Sequence, residues 1–177
     1  MPRLVTFSTA GLAVLLALFA CSPALNWREV RPENTRLNLL LPCKPDKAQK
    51  RVPLGGQTVV LSMLGCEAAG ATFAVATADL GDAARSGPVL ALWLNLTLTH
   101  MNAAPATRQA LPLKIPGAAS EAPVIRVAAQ GQQVDGTAVA GQAAYFSHGT
   151  QVFQVVMYAP QIEPEVAETF FSSLKFE

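Results

Sequence analysis

The stretch TVVLSMLGCEAAGATFAVATADL, residues 58–80, decides the fold class of this chain. Its first third is β-branched and apolar, the EAAG segment at 67–70 has the composition of a turn, and larger side chains alternate with small ones in residues 71–80. A period of two is typical of a strand whose two faces have different surroundings. Two strands joined by a short turn pair in the antiparallel direction. The stretch therefore predicts a β-hairpin within an antiparallel sheet.

Strand patterns recur on both sides of this hairpin. Residues 37–42 predict a first strand that stops at its proline, and Gly55-Gly56 has the composition of a hairpin turn. Residues 105–123 are rich in proline and alanine and predict a surface connection with one short edge strand. The later pattern predicts strands at 124–129, 143–147 and 152–158, with turns at Gln130-Gly131, Asp135-Gly136 and His148-Gly149-Thr150.

Residues 89–101 fit a strand and a helix alike. Leucines at 92, 94, 96 and 98 alternate with polar residues and Trp93, as in a strand. In a helix with 3.6 residues per turn, one face would be apolar and would contain Leu90, Trp93, Leu94, Leu98 and Met101. Ser86 is a candidate N-cap and Pro88 suits a first helical turn. Because a run of about fifteen residues is long for a strand and ordinary for a helix, we predict a helix.

A second helix is predicted at the C-terminal end. Pro164 opens it, and Val166, Phe170 and Leu174 would face the sheet with Phe171 beside them. The order of elements is then strands, helix, strands, helix, with hairpins dominant. This order predicts an α+β domain: a mainly antiparallel sheet with a middle helix and a C-terminal helix packed on it.

The first twenty-one residues indicate export. Arg3 precedes the uncharged run AGLAVLLALFA at 10–20, and LFAC at 18–21 matches a bacterial lipobox that would acylate Cys21. Two alternatives stay open: cleavage after Ala24 by ordinary signal peptidase, and an uncleaved anchor at 4–21, which is marginal for a membrane span. Ser22 in the second mature position favours outer-membrane over inner-membrane sorting. We predict a signal peptide, with its N-terminal signal helix, at 1–20, a tether at 21–35 and a single domain at 36–177.

Cysteine and charge counts bound the function. If Cys21 is acylated, Cys43 and Cys66 remain as an even pair without neighbouring metal ligands, which predicts a disulfide. Removing Arg3 from the 13 basic residues leaves 12, which balance the 12 acidic ones. A net charge of zero argues against nucleic acid as a partner. The chain has one dense basic run, made of Lys44, Lys47, Lys50 and Arg51. Such a run is typical of a solvated loop or of an edge strand protected by charge. The alternative is a contact with anionic lipid.

No residue pattern indicates a catalytic, metal or cofactor site. His100 and His148 lack the spacing of metal ligands, and no GxSxG elbow occurs. Glu67, Asp79 and Asp82 are candidates for carboxylates that meet at one sheet end, or for solvated acids in turns. Trp27 and Trp93 are expected to be packing anchors. The preferred hypothesis is a non-catalytic lipoprotein that faces the periplasm, with membrane lipid and another envelope protein as partners; the alternative is a membrane-tethered enzyme such as a hydrolase.

Two segments carry a family resemblance. LLLPCKPDK at 39–47 and AETFFSSLKF at 167–176, with a helix and Gly-separated strand pairs between them, resemble the PsbP-type α-β-α sandwich over about residues 27–176. That superfamily includes photosystem extrinsic proteins, a nuclear GTPase-release factor and bacterial lipoproteins. The whole chain resembles an uncharacterised proteobacterial family of small lipoproteins. The resemblance implies the fold and the anchor, and it assigns no functional residue because no motif matches one.

Overall fold

A seven-stranded sheet organises the domain in the computed structural model, which describes residues 25–118 and 122–177. All of its neighbouring strands pair in the antiparallel direction. The predicted hairpin supplies two of its strands, and pairing of β5 with β9 joins the two halves of the chain. In spatial order the strands are β3 (Asp46–Leu54), β4 (Gln57–Ala68), β5 (Ala71–Asp79), β9 (Gln151–Ala159), β8 (Ala138–His148), β7 (Ile125–Gln132) and β6 (Gln109–Leu111).

A smaller sheet and two helices complete the domain. The small sheet has the order β1 (Arg28–Val30), β2 (Leu37–Leu41) and β10 (Lys175–Phe176), and the helices are α1 (Ser86–His100) and α2 (Pro164–Ser172). The predicted α+β class, a mainly antiparallel sheet with a middle and a C-terminal helix, is confirmed.

The two helices cover opposite faces of the large sheet. Side chains alternate along a strand, so Phe73 and Val75 of β5 point to one face and Ala74 and Ala76 to the other. Phe73 and Val75 pack in a core with α2 and the small sheet, whereas Ala74 and Ala76 pack in a core with α1. The domain is therefore a three-layer arrangement with a separate core on each side of the sheet.

Helix α2 is held by aromatic packing. Pro164 occupies the start of the helix as predicted, and Ala167, Phe170 and Phe171 are buried at helical spacing. The ring of Phe170 meets that of Phe73 edge-on at a centroid distance of 5.2 Å. Val166 packs against this core as predicted, although it is only partly buried, and Ala167 is the buried residue that the prediction missed. Burial of one such phenylalanine stabilises the fold by about 1.5–3 kcal/mol.

Helix α1 resolves the ambiguous segment in favour of the helix. Leu90, Trp93 and Leu98 are buried, but Leu92 and Leu96 remain 42% and 39% exposed. Leucine on both sides of the helix explains why the sequence also fitted a strand. The predicted N-cap at Ser86 was wrong, because a short 3₁₀ turn precedes α1 and makes Arg85 the capping position.

The predicted turn at Gln130-Gly131 was also wrong. Strand β7 continues to Gln132, and the chain reverses around Asp135-Gly136, as the second prediction had it. At Gly131 a Cβ atom would lie 2.1 Å from the carbonyl oxygen of Met101. A glycine inside a strand often marks such a close backbone approach. A glycine is needed at position 131 because the backbone at the end of α1 approaches it closely, and the chain does not reverse there.

The folded domain begins before residue 36, where the sequence predicted its N-terminal boundary. Strand β1 lies inside the segment predicted as a tether, where Val30 pairs with Leu39. Trp27 packs against Phe73 with ring centroids 6.1 Å apart, so its predicted role as a packing anchor is confirmed. The signal peptide and Cys21 lie outside the described residues. Within residues 25–118 and 122–177, no helix is long and apolar enough to cross a membrane.

The predicted disulfide joins the two sheets. Cys43 follows β2 and bonds to Cys66 of β4, with Cα atoms 6.0 Å apart. Next to it, the backbone N–H of Asn26 donates to the carbonyl of Pro42 at 2.7 Å. The chain therefore enters the domain at the same end of the sheet at which the two sheets are crosslinked.

Candidate functional site

The acidic residues considered as a site do not meet. Glu67 pairs with Thr72 at one end of the β4–β5 hairpin, and Asp79 pairs with Gln151 at the other end of β5. Seven residues of strand separate these ends by about 23 Å. Asp79 and Asp82 accept backbone N–H groups at 2.8 and 3.0 Å, as turn-forming acids do. The described residues contain no group of His, Cys, Asp and Glu that could hold a metal ion.

The two histidines lie far apart in the topology. His148 ends β8, where its ring stacks on Phe176 at 4.4 Å and Nδ1 lies 3.1 Å from the carbonyl oxygen of Gly117. His100 ends α1 and is exposed. Neither ring is hydrogen-bonded to a carboxylate or hydroxyl within the described part of the chain. Their positions do not build a catalytic pair.

The basic run forms a charged edge strand, one of the two predicted forms. Strand β3 lies at the edge of the sheet, where its basic side chains are exposed. Register places Lys50 opposite Leu61 on the α1 face, and Arg51 opposite Val60 on the other face. Lys47 binds Glu33 at 2.6 Å, and this hydrogen bond lowers the pKa of Glu33. Lys47 and Arg51 therefore share one face of the strand, Lys50 lies on the other, and Lys44 precedes β3.

A groove between α1 and the β3–β4 hairpin is a concave site on the described surface that is lined mainly by large apolar side chains. It encloses about 280 Å³. A larger depression of about 460 Å³ and two of about 310 and 300 Å³ are lined mainly by alanine, glycine and polar residues. We call this site the α1–β3 groove; its lining residues are Val52, Pro53, Leu54, Leu61, Trp93, Leu96, Thr97, His100 and Gln154.

The course of α1 creates the groove. At its start the helix is held against the β3–β4 turn, where the guanidinium of Arg85 donates to the carbonyl of Gly55 at 2.7 Å. Gly55 has φ of +59°, and a Cβ there would meet Val89 at 2.4 Å. At its end the helix packs over β7 and β8, where Met101 fills the space above Gly131 and Gly141. Between these two ends, α1 leaves the inner face of β3 and β4 only partly covered beyond Leu54 and Val59, at Val52, Leu61 and Met63.

A hydrogen-bonded network forms the polar floor of the groove. The hydroxyl of Thr97 donates its single proton to the carbonyl of Trp93 at 3.0 Å, so it accepts from the amide of Gln154 at 2.7 Å. The same Nε2 of Gln154 donates to the hydroxyl of Tyr145 at 3.1 Å. The Tyr145 hydroxyl is neutral at pH 7, since the ordinary tyrosine pKa is about 10 and burial raises the pKa of Tyr145 further. The network fixes the orientation of the Gln154 amide.

This orientation leaves one free acceptor in the groove. Both N–H donors of the Gln154 amide are engaged, whereas its Oε1 makes no hydrogen bond within the described residues and is not a buried atom. The walls around it are apolar, with Leu61 on one side and Trp93 and Leu96 on the other. The arrangement is suited to holding a small molecule by shape and one hydrogen bond.

Sequence reasoning singled out only part of this site. Trp93 and His100 were candidates as an anchor and as a histidine at a helix end, and both line the groove. Trp93 packs edge-on against Tyr145 at 6.4 Å, as expected of an anchor. The role of Gln154 was missed. Its signal is a polar residue in the otherwise apolar row of β9, between Val152 and Val156.

Comparison with known proteins leaves the chain without a family. No protein-family model matches it, and no curated protein matches it. A solved structure from Bacteroides thetaiotaomicron VPI-5482 is similar with a TM-score of 0.43 and 12% identity, over 80% of this chain and 45% of that one. This chain thus spans less than half the length of that protein. Similarity at this level carries no argument about fold or function.

Proposed function

We propose that this protein is a membrane-anchored lipoprotein of the bacterial cell envelope that binds a small apolar molecule in the α1–β3 groove and has an accessory, non-catalytic role. The observation that carries the proposal is the groove itself, because apolar walls around a few oriented polar groups are typical of small-molecule sites. Among the described residues the groove contains no pairing of a nucleophile with a base.

Export and anchoring rest on the N-terminal sequence. LFAC at 18–21 supplies the acylation site at Cys21, and acyl chains would hold the protein on a membrane. The Cys43–Cys66 disulfide agrees with an oxidising compartment such as the periplasm. We assign the anchor to the outer membrane, with membrane lipid and a second envelope protein as partners.

The fold proposal is the PsbP-type α-β-α sandwich, within the resembling family of small proteobacterial lipoproteins. Its support is the placement of α1 and α2 on opposite faces of one antiparallel sheet. The small sheet beside α2 is an addition to that plan, and it carries the segment that leads to the anchor.

The binding function can be tested with toluene as an apolar probe. The acylated protein in lipid nanodiscs would be labelled with ¹⁵N-tryptophan, which gives one side-chain N–H signal for each of the 2 tryptophans. Trp93 lines the groove and Trp27 packs on the other face of the sheet, so Trp27 is an internal reference. We expect toluene to move the Trp93 signal in a saturable way and to leave the Trp27 signal in place.

A matched pair of variants locates the binding. Leu61→Arg places a guanidinium in the groove, whereas Val60→Arg adds the same group one residue away, on the opposite face, at a side chain that is 47% exposed. Leu61→Arg should abolish the response of Trp93, and Val60→Arg should retain it. Equal responses in the two variants would show that the groove is not the site.

A further inference from the structure

We infer that the ligand of the α1–β3 groove is a neutral molecule with an apolar body and one hydroxyl or N–H donor, which Oε1 of Gln154 accepts. The inference rests on the proposed binding function and adds to it the chemical class of the ligand. It follows from the hydrogen-bond donors and acceptors of the groove, the charge at its rim and its volume.

The floor of the groove selects for a donor. Thr97 donates to the carbonyl of Trp93, and the two N–H groups of Gln154 are engaged by Thr97 and Tyr145. What the floor still offers to a ligand is the carbonyl oxygen of Gln154. A ligand with only acceptor atoms would displace water from this oxygen without replacing its hydrogen bond, which costs free energy. A hydroxyl or N–H group restores that bond.

The charges around the floor of the groove favour a neutral ligand over an ionised one. A carboxylate placed at the floor would face the carbonyl oxygen of Gln154, so like partial charges would repel. An ammonium group would satisfy that oxygen but would enter beside a cation. The cation is Lys50, which the register puts on the same face as Leu61 of the groove wall. A neutral donor avoids both penalties.

The walls and the volume set the size of the ligand body. Leu61, Leu96 and the indole of Trp93 form apolar surface around the floor. The volume of about 280 Å³ lies just below the range of roughly 300–1,000 Å³ that is usual for pockets of drug-sized ligands. A body of one or two rings, or a short branched chain, matches this space.

Indole and 1-methylindole provide a matched test, because methylation removes the N–H donor and leaves the apolar body. The acylated protein in nanodiscs would be labelled with ¹⁵N-glutamine, and the side-chain amide signal of Gln154 assigned by its loss in Gln154→Leu. Free ligand would be measured in the dialysed buffer, which corrects for uptake by lipid. We expect indole to bind about threefold to tenfold more tightly than 1-methylindole, as loss of one hydrogen bond implies.

Several outcomes separate this inference from the proposed function. Equal affinities for the two compounds, both abolished by Leu61→Arg and kept by Val60→Arg, would overturn the donor preference and leave the groove as a binding site. Tighter binding of indole-3-carboxylate or of tryptamine than of indole would overturn the neutral class. Failure of both indoles with retained toluene binding also overturns the inference. Failure of the indoles and of toluene would remove the proposed function as well.

Discussion

Replacing Cys43 and Cys66 by serine should lower the free energy of unfolding by about 3 kcal/mol. The two cysteines are 23 residues apart in sequence. A crosslink that closes a loop of this length restricts the unfolded chain, and the chain-entropy relation gives roughly 3.4 kcal/mol at 25 °C. Both cores persist without the bond, since they are built from aromatic and aliphatic side chains. The variant should therefore fold, with reduced stability.

Urea unfolding of the double variant, followed by circular dichroism, would measure this loss. The wild-type protein treated with a reductant is the control, because it loses the crosslink without any change of sequence. The two losses should agree within about 1 kcal/mol. Hydrogen exchange should also become faster in β2, since the bond fastens the small sheet to β4. A loss below about 1 kcal/mol in both samples would refute the entropic reasoning.

Three further predictions concern the core, the anchor and the tyrosines. Phe170→Ala should destabilise the domain by about 3–5 kcal/mol in urea unfolding, because Phe170 is fully buried, whereas Leu92→Ala at an exposed position should cost under about 0.5 kcal/mol. Mass spectrometry of the membrane fraction should find diacylglyceryl-Cys21 at the mature N-terminus; a chain that begins at residue 25 or retains residue 1 would contradict lipidation. Burial raises the pKa of Tyr145 and of Tyr158, the 2 tyrosines of the chain. Since a raised folded-state pKa stabilises the fold below the unfolded value of about 10, stability should fall as the pH rises above 10, and absorbance at about 295 nm should show tyrosinate only as the protein unfolds.

The hairpin pattern at 58–80 predicted the sheet well because its information is local. A strand keeps the alternation of its side chains with a period of two whichever antiparallel strands lie beside it. Strands β4 and β5 accordingly begin and end within a few residues of the prediction. The errors occurred where distant parts of the chain meet. Gly131 is a residue typical of turns, but here it lies within a strand because the carbonyl of Met101 leaves no room for a Cβ atom. Ser86 has N-cap composition, but the 3₁₀ turn before α1 places it inside the helix.

The groove was harder to predict than the fold for the same reason. Gln154 and Thr97 are 57 residues apart, and Gln154 meets Tyr145 only because β8 and β9 pair in this register. Hydrogen-bond partners at such separations have no signature in a single sequence. Trp93 and His100 could be singled out by residue type, but the path of α1 across the sheet determines that they face one space.

If Cys21 is acylated as proposed, the crosslinked entry of the chain bears on where the groove would open relative to the bilayer. Leu25 is four positions after Cys21, a length of chain that reaches at most about 14 Å. An acylated Cys21 would thus keep the disulfide end of the sheet near the lipid head groups. Along β4, Leu61 of the groove lies five residues beyond Cys66, a distance of about 17 Å, and on the face opposite to the small sheet. With β4 directed away from the bilayer, the groove would open to water rather than to the hydrocarbon, and its ligand would exchange through the aqueous phase.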